Sequence, residues 1–220
     1  ISRAQSVGVS QLILPAIDSK TTAMMHKVKQ DFPGTIHLMM GLHPTHVGLN
    51  FEEELAHVKE QLDNHSFVAV GEVGMDLYRD KTYQSQQQEA FARQIDWALD
   101  TNLPIVIHCR DAFDEVFEVL EGQKDENLYG IFHCFTGSLE QAYRAIEYNL
   151  KLGIGGVITF KNGKINQFLD KIPLDSIVME TDSPYLAPSP NRGKRNQSAY
   201  LSLIRDKIAH CYKLSADEIS

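Results

Sequence analysis

With 220 residues, 43% of them apolar and 23% charged, the chain has the composition of a globular protein and the length to bury about 70% of the surface its unfolded form exposes. No run approaches the roughly 20 apolar residues of a membrane helix, and a formal net charge of −8 argues against a protein that coats nucleic acid, because affinity for the phosphate backbone comes mainly from Lys and Arg. A phosphate substrate is not excluded, since bound divalent ions can supply positive charge that the side chains lack.

The opening ISRAQSVGVS reads as the tail of a helix running into a strand, with neither Met nor a secretory pattern. Strand-like apolar runs follow at residues 11–16, 37–41, 67–71, 103–107, 129–133, 150–155 and 176–180. Between them, helical periodicity marks residues 51–64, 84–101, 112–121, 139–148 and 164–171. The strands are continuous apolar runs, the pattern of a parallel sheet covered by helices. Repeated βα units predict an α/β fold, a (β/α)8 TIM barrel spanning residues 1–220 as one domain, with its first strand absent because seven strands are present instead of eight. A doubly wound open sheet is the alternative architecture. Near the end, Ser215 and Glu218 have capping-box spacing, so a helix is expected to open there, and natural sequence is expected beyond both ends.

Four runs with strand character end on metal-type ligands: FVAVGE at Glu72, LPIVIH at His108, YGIFH at His133 and SIVMETD at Asp182. One such ending is unremarkable, but four imply a shared site at the strand ends. Two imidazoles and two carboxylates suit a divalent ion of the zinc, manganese or magnesium kind. Cys109 and Cys134 each follow a ligand histidine, so alternation along a strand turns them toward the helices as packing residues. With Cys211 they make an odd and scattered set, which points to a reducing cytoplasm and not to a disulfide framework.

GLHP at residues 41–44, GEVGMD at 71–76, PIVIHCR at 104–110, FHCFTG at 132–137 and ETDSPYLAP at 180–188 together resemble the TatD family of metal-dependent deoxyribonucleases, in that family's order and over nearly the whole chain. The resemblance implies a barrel hydrolase with divalent ions, two in the simplest reading, that cuts phosphodiester bonds at DNA ends in the 3′ to 5′ direction. It implies that Glu72 bridges the ions, that His108 and His133 each ligate one, and that Asp182 ligates an ion and takes the proton of the attacking water, making Asp182 and Glu72 the catalytic pair. The family's first-strand His-x-His pair has no counterpart in this sequence. A carboxylate suits bridging because its two oxygens can serve two ions, and neutral imidazoles leave the ions their charge for the phosphate.

The implied partner is DNA with single-stranded or frayed ends; no membrane and no protein partner is indicated. His43 in GLHP is a candidate for contacting substrate or for a turn. Arg110 is a candidate for a phosphate contact or for a salt bridge to Asp111 or Asp114. Arg192, Lys194 and Arg195 form the one dense basic stretch and can each neutralise a backbone phosphate. Tyr78, Tyr185 and Asn196 can stack on or hydrogen-bond an unpaired end. The remaining histidines, His26, His37, His46, His57, His65 and His210, read as structural or exposed. Two other functions stay open: an amidohydrolase or phosphotriesterase-like enzyme of small molecules, which uses the same metal chemistry, and a non-catalytic scaffold lacking one ligand pair.

Overall fold

A computed structural model describes residues 1–220. In chain order its elements are α1 (Ser2–Gln5), β1 (Leu12–Pro15), α2 (Ser19–Asp31), β2 (Ile36–Met39), α3 (Phe51–Asn64), β3 (Val70–Asp76), α4 (Gln84–Thr101) and β4 (Ile105–Arg110). There follow α5 (Phe113–Gly122), β5 (Gly130–Phe132), α6 (Leu139–Glu147), β6 (Leu150–Ile154), β7 (Ile177–Met179), α7 (Leu201–Tyr212) and α8 (Ala216–Ile219). The chain divides into two compact units, one of Gln11–Ile131 and the other of Ile1–Ser10 with Phe132–Ser220.

In the Gln11–Ile131 unit, β1 pairs parallel with β2, a bridge joins Met40 to Val70, and β3 pairs parallel with β4. Its core gathers Leu38, Met40 and Leu42 beside Leu55 and Val58 of α3, residues three apart on one helical face. Helix α2 starts where the Asp18 carboxylate accepts the Thr21 N–H at 3.1 Å, satisfying a donor that the first turn leaves open. β3 is buried at all seven of its positions. Helix α4 buries Gln87, Ala90, Phe91, Gln94, Ile95 and Ala98, a single stripe at helical spacing that contains two amides.

In the second unit, β6 and β7 pair parallel, Leu152 opposite Ile177 and Ile154 opposite Met179. Helix α6 opens with a reciprocal Ser138–Gln141 capping box and packs on β6. Helix α7 buries Ile204, Ile208 and Ala209 and packs against 3-10 turns at Gly156–Thr159 and Leu169–Lys171. The capping box at Ser215 does open a helix, the single turn α8, with the Glu218 N–H donating to Ser215 Oγ at 3.3 Å.

All seven expected strands are present, with shifted bounds. The largest shift is β3, which begins at Val70 and runs on to Asp76, so Glu72 lies inside a strand and not at its end. His108 is likewise inside β4, whereas His133 directly follows β5 and Asp182 stands three residues past β7. The helix expected at 164–171 is two 3-10 turns, Ile165–Gln167 and Leu169–Lys171. Phe168, at φ −144°, breaks the helical path between them, although the buried Ile165 and Leu169 keep the spacing of a helix. Helix α2 escaped the periodicity reading because only Thr22 and Met25 of its thirteen residues are buried.

Candidate metal centre

The β3–β4 ladder aims the ligands of the first unit. Gly71 pairs with Val106 and Val73 with Ile107, so Glu72 between them is the extra residue of a bulge, a device that redirects a side chain. Two residues on, Gly74 takes φ +124° and lies so close to the His108 carbonyl that a Cβ there would collide with it. Beside them, His43 begins the 3-10 turn Pro44–His46, its Nδ1 2.7 Å from Thr45 Oγ1 and accepting the Thr45 N–H at 3.2 Å.

His43, Glu72 and His108 each offer a ligand atom, and these atoms lie within 4.8 Å of one another. His43 Nε2 is 3.5 Å from Glu72 Oε2, and the His43 and His108 rings are 4.5 Å apart between centroids. Asp76 orients the third member: its Oδ2 lies 2.9 Å from His108 Nε2, and its Oδ1 accepts the Tyr78 N–H at 3.2 Å. Burial pushes the Asp76 carboxyl up, but the hydrogen bonds from His108 and from the Tyr78 N–H, with the charges of His108 and Arg110, outweigh it and hold the group below its ordinary range. Burial dominates at His108 and pushes its imidazole down, toward the neutral form that ligates metals. An ionised Asp76 can only accept, so Nε2 carries the hydrogen and the Nδ1 lone pair is the one left for an ion. The set is compact, with His43 and Glu72 buried and His108 half-buried, and its two imidazoles and one carboxylate fit a divalent ion of the zinc or manganese kind.

Helix α4 braces this arrangement. The Gln87 amide clamps the Asp76 backbone, accepting its N–H at 2.9 Å and donating to its carbonyl at 3.3 Å. Seven residues along the same stripe, Gln94 Oε1 accepts the Leu42 N–H at 2.7 Å, next to His43.

The second unit holds its own histidine–carboxylate group. His133 Nδ1 lies 2.7 Å from Glu180 Oε2, and the Cys134 N–H donates to Glu180 Oε1 at 2.5 Å. The Glu180 carboxylate occupies the space a side chain at Gly153 would fill. His133 Nε2 is 3.6 Å from Asp182 Oδ1, so the two atoms can share an ion. Asp182, at φ +54°, sits in a loop braced by Asn196, whose Nδ2 donates to the Thr181 and Tyr185 carbonyls at 2.6 Å each.

The family described as TatD related DNase matches residues 1–220. The chain belongs to this TatD-related family. It is 38% identical to the uncharacterized metal-dependent hydrolase YabD of Bacillus subtilis, covering 100% of this chain and 86% of that protein. It is 28% identical to the 3′-5′ ssDNA/RNA exonuclease TatD of Pantoea vagans, over 100% of this chain and 87% of that one. Among solved structures, YjjV, a TatD homologue of Escherichia coli, superposes with a TM-score of 0.92 at 28% identity, covering 99% of this chain and 85% of that one. The chain is therefore a metal-dependent hydrolase with the α/β TIM-barrel fold of TatD proteins.

The expected site residues of this TatD relative are distributed as follows. Glu72, His108 and His43 come together in the first unit, His43 acting both as the turn residue and as a member of the ligand group. His133 and Asp182 come together in the second. Arg110 makes no salt bridge to Asp111 or Asp114; its guanidinium lies over the Tyr78 ring, 3.7 Å from the centroid. Arg192 lies over Phe160 at 3.4 Å, Tyr185 is exposed, and Arg195 lines a cavity of about 240 Å³ with Arg3, Ser183 and Gln197. Asn196 departs from expectation: it is 3% exposed, and its amide serves the loop backbone, with Oδ1 accepting the Gln197 N–H at 2.8 Å, so it is a brace and not a substrate contact. Sequence reasoning passed over Asp76, Glu180, Gln87 and Gln94. Asp76 stands four residues beyond Glu72 on one strand and Glu180 two before Asp182, and that even spacing was the available signal.

Proposed function

We propose that residues 1–220 act as one hydrolase domain that cuts phosphodiester bonds at single-stranded or frayed nucleic-acid ends, working from the 3′ end. The reading is supported above all by the His43, Glu72 and His108 group, compact enough to hold an ion in a chain of the TatD-related family. The exonuclease name of the Pantoea vagans relative supports the substrate and the direction. When bound, a divalent ion supplies positive charge for the phosphoryl oxygens and lowers the pKa of water. Within the first unit His43, Glu72 and His108 would hold it and Asp76 fixes the His108 tautomer. Within the second, Asp182 is the acceptor of the attacking water's proton, at a carboxylate oxygen. A second ion falls to His133 and Asp182, whose ligand atoms are 3.6 Å apart. Arg110, Tyr185, Arg192 and Arg195 contact the substrate. The odd and scattered set of Cys109, Cys134 and Cys211 supports a cytoplasmic setting, and no helix is long and apolar enough to cross a membrane.

The deciding experiment incubates the protein with an end-labelled single-stranded oligonucleotide, with magnesium, manganese or chelator, beside Asp182→Asn. The expected result is a ladder that shortens from the 3′ end, requires metal and disappears in the variant. A small-molecule hydrolase is the second reading, favoured by the net charge of −8. Turnover of a small ester or phosphotriester with metal bound, and no ladder, would establish it instead.

A further inference from the structure

Arg110 is the last residue of β4 and stands opposite Asp76 in the parallel ladder, two positions beyond His108. The alternation of a strand therefore puts its side chain on the face that carries His108. The guanidinium lies over the ring of Tyr78, 3.7 Å from the centroid. Tyr78 in turn donates its N–H to Asp76 Oδ1 at 3.2 Å, while Oδ2 of the same carboxylate holds His108 at 2.9 Å. Ring and metal ligand thus hang from one carboxylate. Ion pairs engage Arg93 and Arg205, but none engages Arg110, although Asp111 follows it directly. Tyr78 is 52% exposed despite being bulky and aromatic. A guanidinium over a ring face makes no hydrogen bond to the ring atoms, so its donors stay available to match the oxygens of a phosphate.

We propose that Tyr78 and Arg110 form a nucleotide clamp beside the His43, Glu72 and His108 group, Tyr78 stacking on an unpaired base and Arg110 donating to the adjoining phosphate. The proposal rests on the nuclease reading above and adds the substrate feature that is gripped. A base inside a duplex is already stacked on both faces, so only an unpaired or frayed nucleotide can lend its face to Tyr78. A stack that merely packs the protein has no reason to sense whether a base is present.

The test measures fluorescence anisotropy of a 5′-labelled single strand in the Asp182→Asn background with manganese, so that binding is read without turnover. A matched strand carries abasic residues at its last two 3′ positions. Tyr78→Ala is expected to weaken binding of the base-bearing strand by roughly five- to a hundredfold while changing the abasic strand by less than about twofold. Tyr78→Phe keeps the parental affinity, and Arg110→Ala weakens both strands. Equal losses on the two strands, or no loss with Tyr78→Ala, would overturn the clamp while nuclease activity in the parent protein still stood. Failure of the parent to bind either strand would overturn the clamp together with the nuclease reading. Unchanged circular dichroism and manganese content in Tyr78→Ala are the controls that keep a lost fold from imitating the result.

Discussion

The Gln11–Ile131 unit and the Phe132–Ser220 segment each set a histidine against a carboxylate, but they anchor the pair differently. In the first, Glu72, Asp76 and His108 all lie within paired strands, and the α4 amides tie down the backbone at Asp76 and Leu42. In the second, Glu180 and Asp182 come after a three-residue strand, Asp182 in a left-handed conformation, with Asn196 as the brace. Side-chain exposure follows the anchoring: 11% for Glu72 and 9% for Asp76, against 17% for Glu180 and 24% for Asp182. The strand-borne group has the rigidity a fixed ion needs, and the loop-borne group has the access a proton acceptor needs.

That contrast is broken most severely by removing one carboxylate from each side. Glu72→Ala takes away the only carboxylate of the compact ligand group, and activity should fall by about a thousandfold or more, together with loss of bound metal. Asp182→Asn should lose activity by about 10²- to 10⁴-fold while the His43, Glu72 and His108 ion is retained. Steady-state kinetics and metal analysis of the same samples check both. Loss of the His43, Glu72 and His108 ion in Asp182→Asn would contradict the division of roles. Dialysis against chelator should silence the parent protein, and manganese should restore it.

One step smaller are the carboxylates that act through a histidine. Asp76→Asn leaves one acceptor oxygen for the two donors, His108 Nε2–H and the Tyr78 N–H, and should lower metal affinity by about 10- to 100-fold, read by competition with a chromogenic chelator. Each carboxylate also accepts a backbone N–H, from Tyr78 at Asp76 and from Cys134 at Glu180, so Asp76→Asn and Glu180→Gln should both lower thermal stability as well. A pure affinity effect in both variants would mean that these backbone contacts add nothing to stability.

The alternation of strands and helices was plain in the sequence, because buried parallel strands must be continuously apolar and their helices amphipathic. So were Glu72, His108, His133 and Asp182, each a polar residue at the end of an apolar run. The supporting residues were not. Gln87 and Gln94 occupy core positions of α4 that periodicity assigns to apolar side chains, and their reason for being there, the buried backbone N–H groups of Asp76 and Leu42, exists only after folding. The Glu72 bulge was equally hidden, since register is a property of the β3–β4 pair and not of either strand. Asn196 misled because a polar residue in a basic loop invites a substrate role, while its partners, the Thr181 and Tyr185 carbonyls, lie 15 and 11 residues away.

The braces themselves offer a gentler comparison. Asn196→Ala leaves two carbonyls without their donor and should cost about 1–3 kcal/mol, a fall of several degrees in the melting temperature. Gln94→Ala strands the Leu42 N–H and should cost a similar amount. The two should part in function. Asn196→Ala loosens the loop that carries Asp182 and should lower kcat with metal content intact. Gln94→Ala loosens the turn that carries His43 and should lower metal affinity.

The smallest effect separates the two arginine–aromatic stacks. Arg110 on Tyr78 and Arg192 on Phe160 are alike in distance, 3.7 and 3.4 Å, but Tyr78 is an exposed ring two residues past the strand that carries Glu72, whereas Phe160 caps the end of a 3-10 turn. Arg192 then serves as a held charge and nothing more. Arg192→Ala should reduce the slope of log affinity against log salt by about 0.7 for a single strand, to the same extent on base-bearing and abasic oligonucleotides. Phe160→Ala should do less, since the charge remains and only its support is lost. If Phe160→Ala instead discriminated between the two strands as Tyr78→Ala is expected to do, base stacking would not be peculiar to the unit of His43, Glu72 and His108, and the contrast between the two arginines would reduce to their position along the chain.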